Sequence, residues 1–196
     1  MEAASDTREE WEEMDQLRLA YYLFDVYGLL RYVARYVRRE TGMGEVAFYD
    51  KVRSSASRHP DDWPVISKTL KTLEGYMAPP GSWSLFIAEI GRYLIEVLEL
   101  ADDSALRTAL AVQHAHLPAP DRTFPAVLEL EHDYVAWQYL LLIAREEWHR
   151  DDWQDHVPRL FEFVPSTLFF YDPLSVFLLL FGSAQSFLFL QFSSSV

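Results

Sequence analysis

Apolar residues recur at the three-to-four-residue spacing of amphipathic helices through the first part of the chain. Over 11–40 this spacing predicts one long helix, or two helices that meet near Gly28. Glycine, proline and aspartate then divide the pattern into shorter segments. These segments predict helices at 46–56, from Pro64 to the Pro79-Pro80-Gly81 stop, at 82–100, and from Asp102-Asp103 to about His114.

The pattern changes to strict alternation after Pro125, which predicts a strand. At Asp133 helical spacing returns, and Asp133 has the side chain of a helix N-cap. A second strand is predicted at 168–171, before Asp172-Pro173. The block is therefore a βαβ-like unit, or two strands of a small sheet capped by one helix. On one predicted face lie Leu128, Leu130, His132 and Tyr134, and on the other lie Glu129, Glu131 and Asp133. The predicted helix turns Trp137, Leu141, Ala144 and Trp148 towards the core and leaves Arg145, Glu146, Glu147 and Arg150 for solvent.

Together these patterns predict a mainly α (α+β) fold. Five to six helices are followed by a small two-stranded strand–helix–strand unit. The predicted organisation is an acidic, frayed N-terminus at 1–10, a helical domain at 11–173, and an uncharged apolar tail at 174–196.

Composition narrows the classes of function. The chain has 196 residues, 50% of them apolar, which is enough for a sizeable core. Its net charge of −13 argues against a nucleic-acid surface, because such surfaces need a basic face. It contains no cysteine, which removes disulfides, thiolate metal sites and iron–sulfur ligation from this chain. No signal-peptide pattern begins the sequence, so a cytoplasmic protein is expected.

Several short motifs resemble one known family. They are Phe48-Tyr49-Asp50-Lys51-Val52, Pro80-Gly81-Ser82-Trp83, Leu130-Glu131-His132-Asp133-Tyr134-Val135-Ala136-Trp137, Pro158-Arg159-Leu160, Thr167-Leu168 and Asp172-Pro173. With them, residues 17–172 resemble the mostly helical C-terminal region that follows the radical SAM barrel in cobalamin-dependent radical SAM proteins. The likeness covers about four-fifths of the 196 residues.

The resemblance implies a non-catalytic domain that packs on a radical SAM barrel, in cis or in trans, and helps close its active site. Cobalamin, S-adenosylmethionine and a 4Fe-4S cluster are then expected on upstream domains, and no cofactor on this chain. The family's three closely spaced cysteines and its Asp-x-His-x-x-Gly corrin loop do not occur here. The chain is therefore expected to be a fragment, a split partner or an accessory domain that is not catalytic alone.

Histidines fall in three further patterns: Glu129…His132 with Glu146…His149, His114-x-His116, and Asp155-His156. The Glu-x-x-His pairs have the spacing of di-iron ligands, but they follow one another along a single element and cannot face each other. The His-x-His pair has no third ligand, and Asp155-His156 has no recognisable nucleophile beside it. No metal site and no catalytic residue are predicted.

The His132-Asp133 pair lies where a strand passes into a helix, a common position for sites in mixed α/β units. One interpretation is a helix cap beside a hydrogen-bonded histidine. The other is a polar contact with a substrate or with the barrel. The predicted substrate- or partner-facing residues are His132, Asp133 and Tyr134.

Charged residues also form two helical stripes. One ends the first helical region and consists of Arg31, Arg35, Arg38 and Arg39. It is either a solvated face beside a helix C-terminus or an anion or partner contact. The other consists of Glu89, Arg92, Glu96 and Glu99, whose spacing allows Glu89–Arg92 and Arg92–Glu96 pairs.

Residues 174–196 carry no charge and are near the length that crosses a bilayer, with no flanking lysine or arginine. Three interpretations stay open: a C-terminal membrane tail, a segment packed on the domain or on a missing neighbour, and a non-native read-through. The tail suggests an alternative function, a tail-anchored helical interaction protein at a membrane surface. In that case the chain is membrane-associated through 174–196.

Overall fold

A computed structural model describes residues 8–75, 83–117, 122–147 and 157–170. Within these stretches the chain is mainly helical, with one small two-stranded sheet. The helices are α1 (Arg8–Tyr21), α2 (Arg31–Thr41), α3 (Glu45–Arg58), α4 (Pro64–Gly75), α5 (Trp83–Glu96), α6 (Ser104–His116) and α7 (Tyr134–Glu147), and the strands are β1 (Ala126–Leu130) and β2 (Ser166–Phe170). The predicted fold class is confirmed.

The predicted break near Gly28 separates α1 from α2. A π-helical turn, Tyr22–Val26, continues α1 before the chain leaves the helix. Gly28 has φ of +77°, in the left-handed region that residues with a Cβ avoid. The region 11–40 therefore forms two helices rather than one.

The chain divides into two compact units. The first, here the helical unit, comprises Met1–Asp102 with Val112–Leu117. The second, here the strand unit, comprises Asp103–Ala111 with Pro118–Val196. The division falls within α6. The predicted boundary between 173 and 174, and with it the apolar tail, lies outside the described residues.

The helical unit buries large side chains from successive helices. In it α3 packs against α1, α2 and α4, and α4 packs against α5. Its fully buried side chains include Phe24, Phe48, Tyr49, Ile66 and Tyr93. Each large apolar side chain removed from water stabilises the fold by about 1.5–3 kcal/mol.

A buried carboxylate caps α4 from a neighbouring helix. The first residue of α4, Pro64, has no N–H, so its first free donors belong to Val65 and Ile66. Both donate to the carboxylate of Glu89 on α5, over 3.2 Å and 2.6 Å. Glu89 is only 8% exposed. Its negative charge lies at the positive end of the α4 dipole, where it stabilises the helix.

A buried side-chain amide caps the start of α2. Leu30 precedes α2 and its side chain cannot accept a hydrogen bond. The Gln113 side-chain oxygen instead accepts the Tyr32 N–H at 2.9 Å, and its amide nitrogen donates to the Gly28 carbonyl at 2.7 Å. Gln113 is fully buried, so this one side chain satisfies backbone groups on both sides of the break.

The polar stripe predicted on α5 needs correction. Glu89 does not face solvent beside Arg92, because its carboxylate is occupied by α4. Arg92 pairs with Glu96 at 3.3 Å, lies 4.2 Å over the Trp63 ring and donates to the Asp62 carbonyl. Its guanidinium therefore packs on the turn before α4, and only the predicted Arg92–Glu96 pair forms.

In the strand unit, β1 and β2 form an antiparallel pair, and α7 lies between them in the sequence. Leu128 pairs with Leu168, and Leu130 pairs with Ser166. Leu130 and Leu168 are buried, whereas Val127 and Glu129 are exposed. The predicted alternation of buried and exposed side chains therefore holds along β1, as far as Leu130. Of the two topologies left open, the structure has the small sheet rather than a parallel βαβ unit.

Candidate functional site

The predicted site residues lie at the junction between β1 and α7, within the strand unit. Asp133 is the N-cap of α7, since its Oδ1 accepts the backbone N–H groups of Val135 at 3.1 Å and Ala136 at 3.0 Å. Its own N–H donates to the Val164 carbonyl at 2.7 Å. The alternation predicted that Asp133 would lie on the polar face opposite His132, but Asp133 is buried. The reason is that the strand, and with it the alternation, ends at Leu130.

His132 is fixed from two sides. Its Nδ1 lies 2.9 Å from the Phe163 carbonyl oxygen, and its Nε2 lies 2.7 Å from the Ser104 hydroxyl. A carbonyl oxygen only accepts, so Nδ1 carries the hydrogen. In the neutral imidazole Nε2 then accepts the hydrogen of Ser104. The half-buried ring thus joins the first residue of α6 to the loop before β2.

A serine hydroxyl that is hydrogen-bonded to a histidine ring is also the nucleophile and base arrangement of many hydrolytic enzymes. In catalytic pairs a third group orients the base, often a carboxylate that stabilises the imidazolium. Here the backbone carbonyl of Phe163 takes that place, and the Asp133 carboxylate accepts N–H groups of α7. The two hydrogen bonds therefore fix the ring in position.

Tyr134 and Trp137 form the apolar floor of the junction. Both side chains are fully buried, and their ring centroids lie 5.0 Å apart. The Trp137 indole N–H donates to the Pro158 carbonyl at 3.1 Å. The predicted core role of Trp137 and Leu141 is confirmed, while the side chains of Ala144, Arg145, Glu146, Glu147, Trp148 and Arg150 lie outside the described residues.

The arginine stripe of the helical unit is engaged within the chain. Arg31 donates to the Asp25 and Val26 carbonyls, and so anchors the π-helical turn to the first turn of α2. Arg35 lies 5.6 Å over the Tyr32 ring, and Arg38 pairs with Glu45 at 2.7 Å. Arg39 also has a partner within the chain. Each arginine of the stripe therefore contacts a group within the chain.

The π-helical turn places a carboxylate beside a buried tyrosine. The Tyr49 hydroxyl donates to Asp25 Oδ1 at 3.2 Å. Burial raises the pKa of Tyr49, and the Asp25 charge raises that pKa further. Tyr49 therefore stays protonated and acts as a hydrogen-bond donor that holds the turn against α3.

Within the described stretches, the other histidine patterns do not converge. His114 Nε2 lies 3.3 Å from the Ser84 hydroxyl, and the His116 ring stacks on Tyr32 with centroids 4.1 Å apart. Glu129 accepts from Thr167 across the sheet at 2.8 Å. The described stretches hold no group of three or more histidine, aspartate or glutamate side chains placed to bind a metal ion. The side chains of Glu146, His149, Asp155 and His156 lie outside them.

Sequence reasoning missed Ser104, Glu89 and Gln113, whose partners lie far along the chain. Ser104 carried a partial signal, since it follows Asp102-Asp103 at the start of a predicted helix. Comparison with protein-family models, with curated proteins and with solved structures finds no match.

Proposed function

We propose that this chain is a non-catalytic helical domain that packs on the barrel of a cobalamin-dependent radical SAM protein and helps close its active site. The motif resemblance over 17–172 motivates the partner. The observation that carries the non-catalytic role is the β1–α7 junction, where His132 and Asp133 both bind the chain itself. Such a junction is suited to presenting a rigid surface.

In this proposal the cofactors of the radical SAM reaction are bound by the partner protein. The chain has no cysteine, so its residues do not fit an iron–sulfur cluster. Cobalamin and S-adenosylmethionine are assigned with the cluster to the barrel and its upstream domain. This chain would contribute packing and exclusion of water.

The contact surface we assign is the loop patch, defined as Phe161 and Val164. These side chains are 53% and 68% exposed. The Val164 carbonyl accepts the Asp133 N–H, and the neighbouring Phe163 carbonyl accepts from His132, so the junction fixes the loop. Apolar anchors held in place before binding lose little entropy on association, which favours a stable contact.

The test is complex formation with the radical SAM barrel protein encoded beside this gene. The full chain, co-expressed with that protein, should co-elute with it in size-exclusion chromatography. Phe161→Asp with Val164→Asp should abolish co-elution, because two charges would be buried without partners. The matched control is Val46→Asp with Leu85→Asp, two exposed apolar positions in the helical unit.

Two outcomes would reject the proposal. One is the absence of a neighbouring radical SAM gene together with no complex from any such barrel protein tested. The other is co-elution that both double variants weaken equally, which would indicate general surface stickiness rather than a contact at the loop patch.

The uncharged stretch 174–196 favours a second candidate, a helical interaction protein anchored at a membrane surface by its tail. Among the described residues, no helix combines the length and the apolarity that a membrane crossing requires. Cell fractionation of the full chain and of a version ending at Pro173 separates the candidates. Membrane recovery that depends on 174–196 supports the anchor, and equal recovery of both versions rejects it.

A further inference from the structure

A cleft of ≈ 220 Å³ opens among α1, α3 and α4 of the helical unit. Each helix contributes side chains one turn apart, which therefore share a face. The polar lining residues are Gln16 of α1, Arg53 and Ser57 of α3, and Ser67 and Lys71 of α4. No carboxylate is among the described residues that line it. The two cations of the lining are Arg53, which is paired with Asp50 outside the lining, and Lys71.

From this donor set we infer that the cleft binds a small phosphate monoester. Neither the junction nor the proposed barrel contact involves these residues.

Arg53 is held in position and still has donors to offer. Its side chain is 11% exposed, and it bonds Asp50 at 2.7 Å and the Gln16 side-chain oxygen at 2.8 Å. Of the five N–H groups of a guanidinium, three serve these contacts. The other two make no hydrogen bond within the described part of the chain. Because Asp50 and Gln16 fix the group, little rotamer entropy would be lost on binding an anion.

The other donors are not committed elsewhere. Within the residues that the structure describes, Lys71 makes no ion pair, and the Ser57 and Ser67 hydroxyls make no hydrogen bond. Ser67 is 6% exposed and lies in the cleft lining. Gln16 accepts from Arg53 through its oxygen, which leaves its amide N–H groups to donate.

Phosphate fits this set better than a carboxylate does. A phosphate monoester carries −1.5 to −2 charge near neutral pH and presents three acceptor oxygens to separate donors. Here the donors come from three helices rather than from one plane. Leu19, Ala20 and Leu70 complete the lining, which gives an apolar wall to a short ester group.

The experiment is calorimetric titration of the full chain with inorganic phosphate and with propyl phosphate, at constant ionic strength set by chloride. Both should bind saturably at one site, propyl phosphate more tightly because of the apolar wall. Lys71→Gln should weaken binding about tenfold, the size expected for one charge-assisted hydrogen bond. Ser57→Asp places a negative charge in the cleft and should abolish binding.

Lys68→Gln is the matched control, since it removes the same charge from the same helix at an exposed position outside the cleft lining. It should leave the phosphate affinity unchanged. Three results would overturn the inference: no saturable binding of either phosphate, equal weakening by Lys68→Gln and Lys71→Gln, or succinate binding as tightly as propyl phosphate. Circular dichroism of each variant confirms that the helices are retained.

Discussion

Replacing Glu89 by leucine should destabilise the protein strongly, because its carboxylate is the acceptor for two backbone N–H groups at the start of α4. A buried donor left without an acceptor costs about 1–3 kcal/mol. Two such donors give about 2–6 kcal/mol, and relief of the buried charge offsets part of this. The expected loss in the free energy of unfolding is about 2–4 kcal/mol. Glu89→Gln keeps one acceptor oxygen, so its loss should be about 1 kcal/mol.

Urea unfolding followed by circular dichroism measures this. With an m-value of about 2 kcal/mol per molar, Glu89→Leu should lower the midpoint by about 1–2 M. Glu96→Leu is the control: this glutamate lies on the same helix, and its pair with Arg92 is solvent-exposed. That pair contributes at most about 1 kcal/mol. Equal midpoints for Glu89→Leu and Glu96→Leu would refute the cap across helices.

Three further predictions concern single residues. Asp133→Asn and Asp133→Ser should unfold near the wild-type midpoint, whereas Asp133→Ala should cost about 0.5–2 kcal/mol, because only alanine removes the cap; three equal midpoints would contradict this. Trp137→Ala should cost about 3–5 kcal/mol in urea unfolding, since its ring is fully buried, and an unchanged midpoint would show the ring exposed. Because the pKa of Tyr49 is raised in the folded protein, the unfolded chain loses the Tyr49 hydroxyl proton first as pH rises. The contribution of Tyr49 to the free energy of unfolding is therefore fully present below about pH 10 and is lost above it. Unfolding measured from pH 8 to 11 should show a shallower decline in Tyr49→Phe, and an identical decline would refute the assignment.

The sequence predicts those parts of the fold that depend on residues close together in the chain. Gly28 marked the break between α1 and α2 because the left-handed backbone there suits glycine. Asp133 marked the start of α7 because a cap and its donors lie within three residues of one another. Leu128 and Leu130 marked β1 through their alternation with glutamates.

The parts that sequence missed depend on distant partners. Glu89 was predicted to lie on a solvent-facing stripe, since its neighbours in helical spacing are charged, but its acceptors serve donors 23 and 24 residues earlier. Gln113 bonds Tyr32 across 81 residues, and no local pattern marks such a contact. Ser104 and His132 are likewise 28 residues apart. Those contacts exist only once the helices have packed.

The most direct test of the proposed function is hydrogen–deuterium exchange of the full chain, alone and with the radical SAM barrel protein encoded beside it. Packing through the loop patch predicts slower exchange at residues 157–165 in the complex, with the exposed surface of α5 around Leu85 unchanged. Exchange that is the same at 157–165 with and without the barrel protein, or slowed only in the helical unit, would contradict the proposed contact.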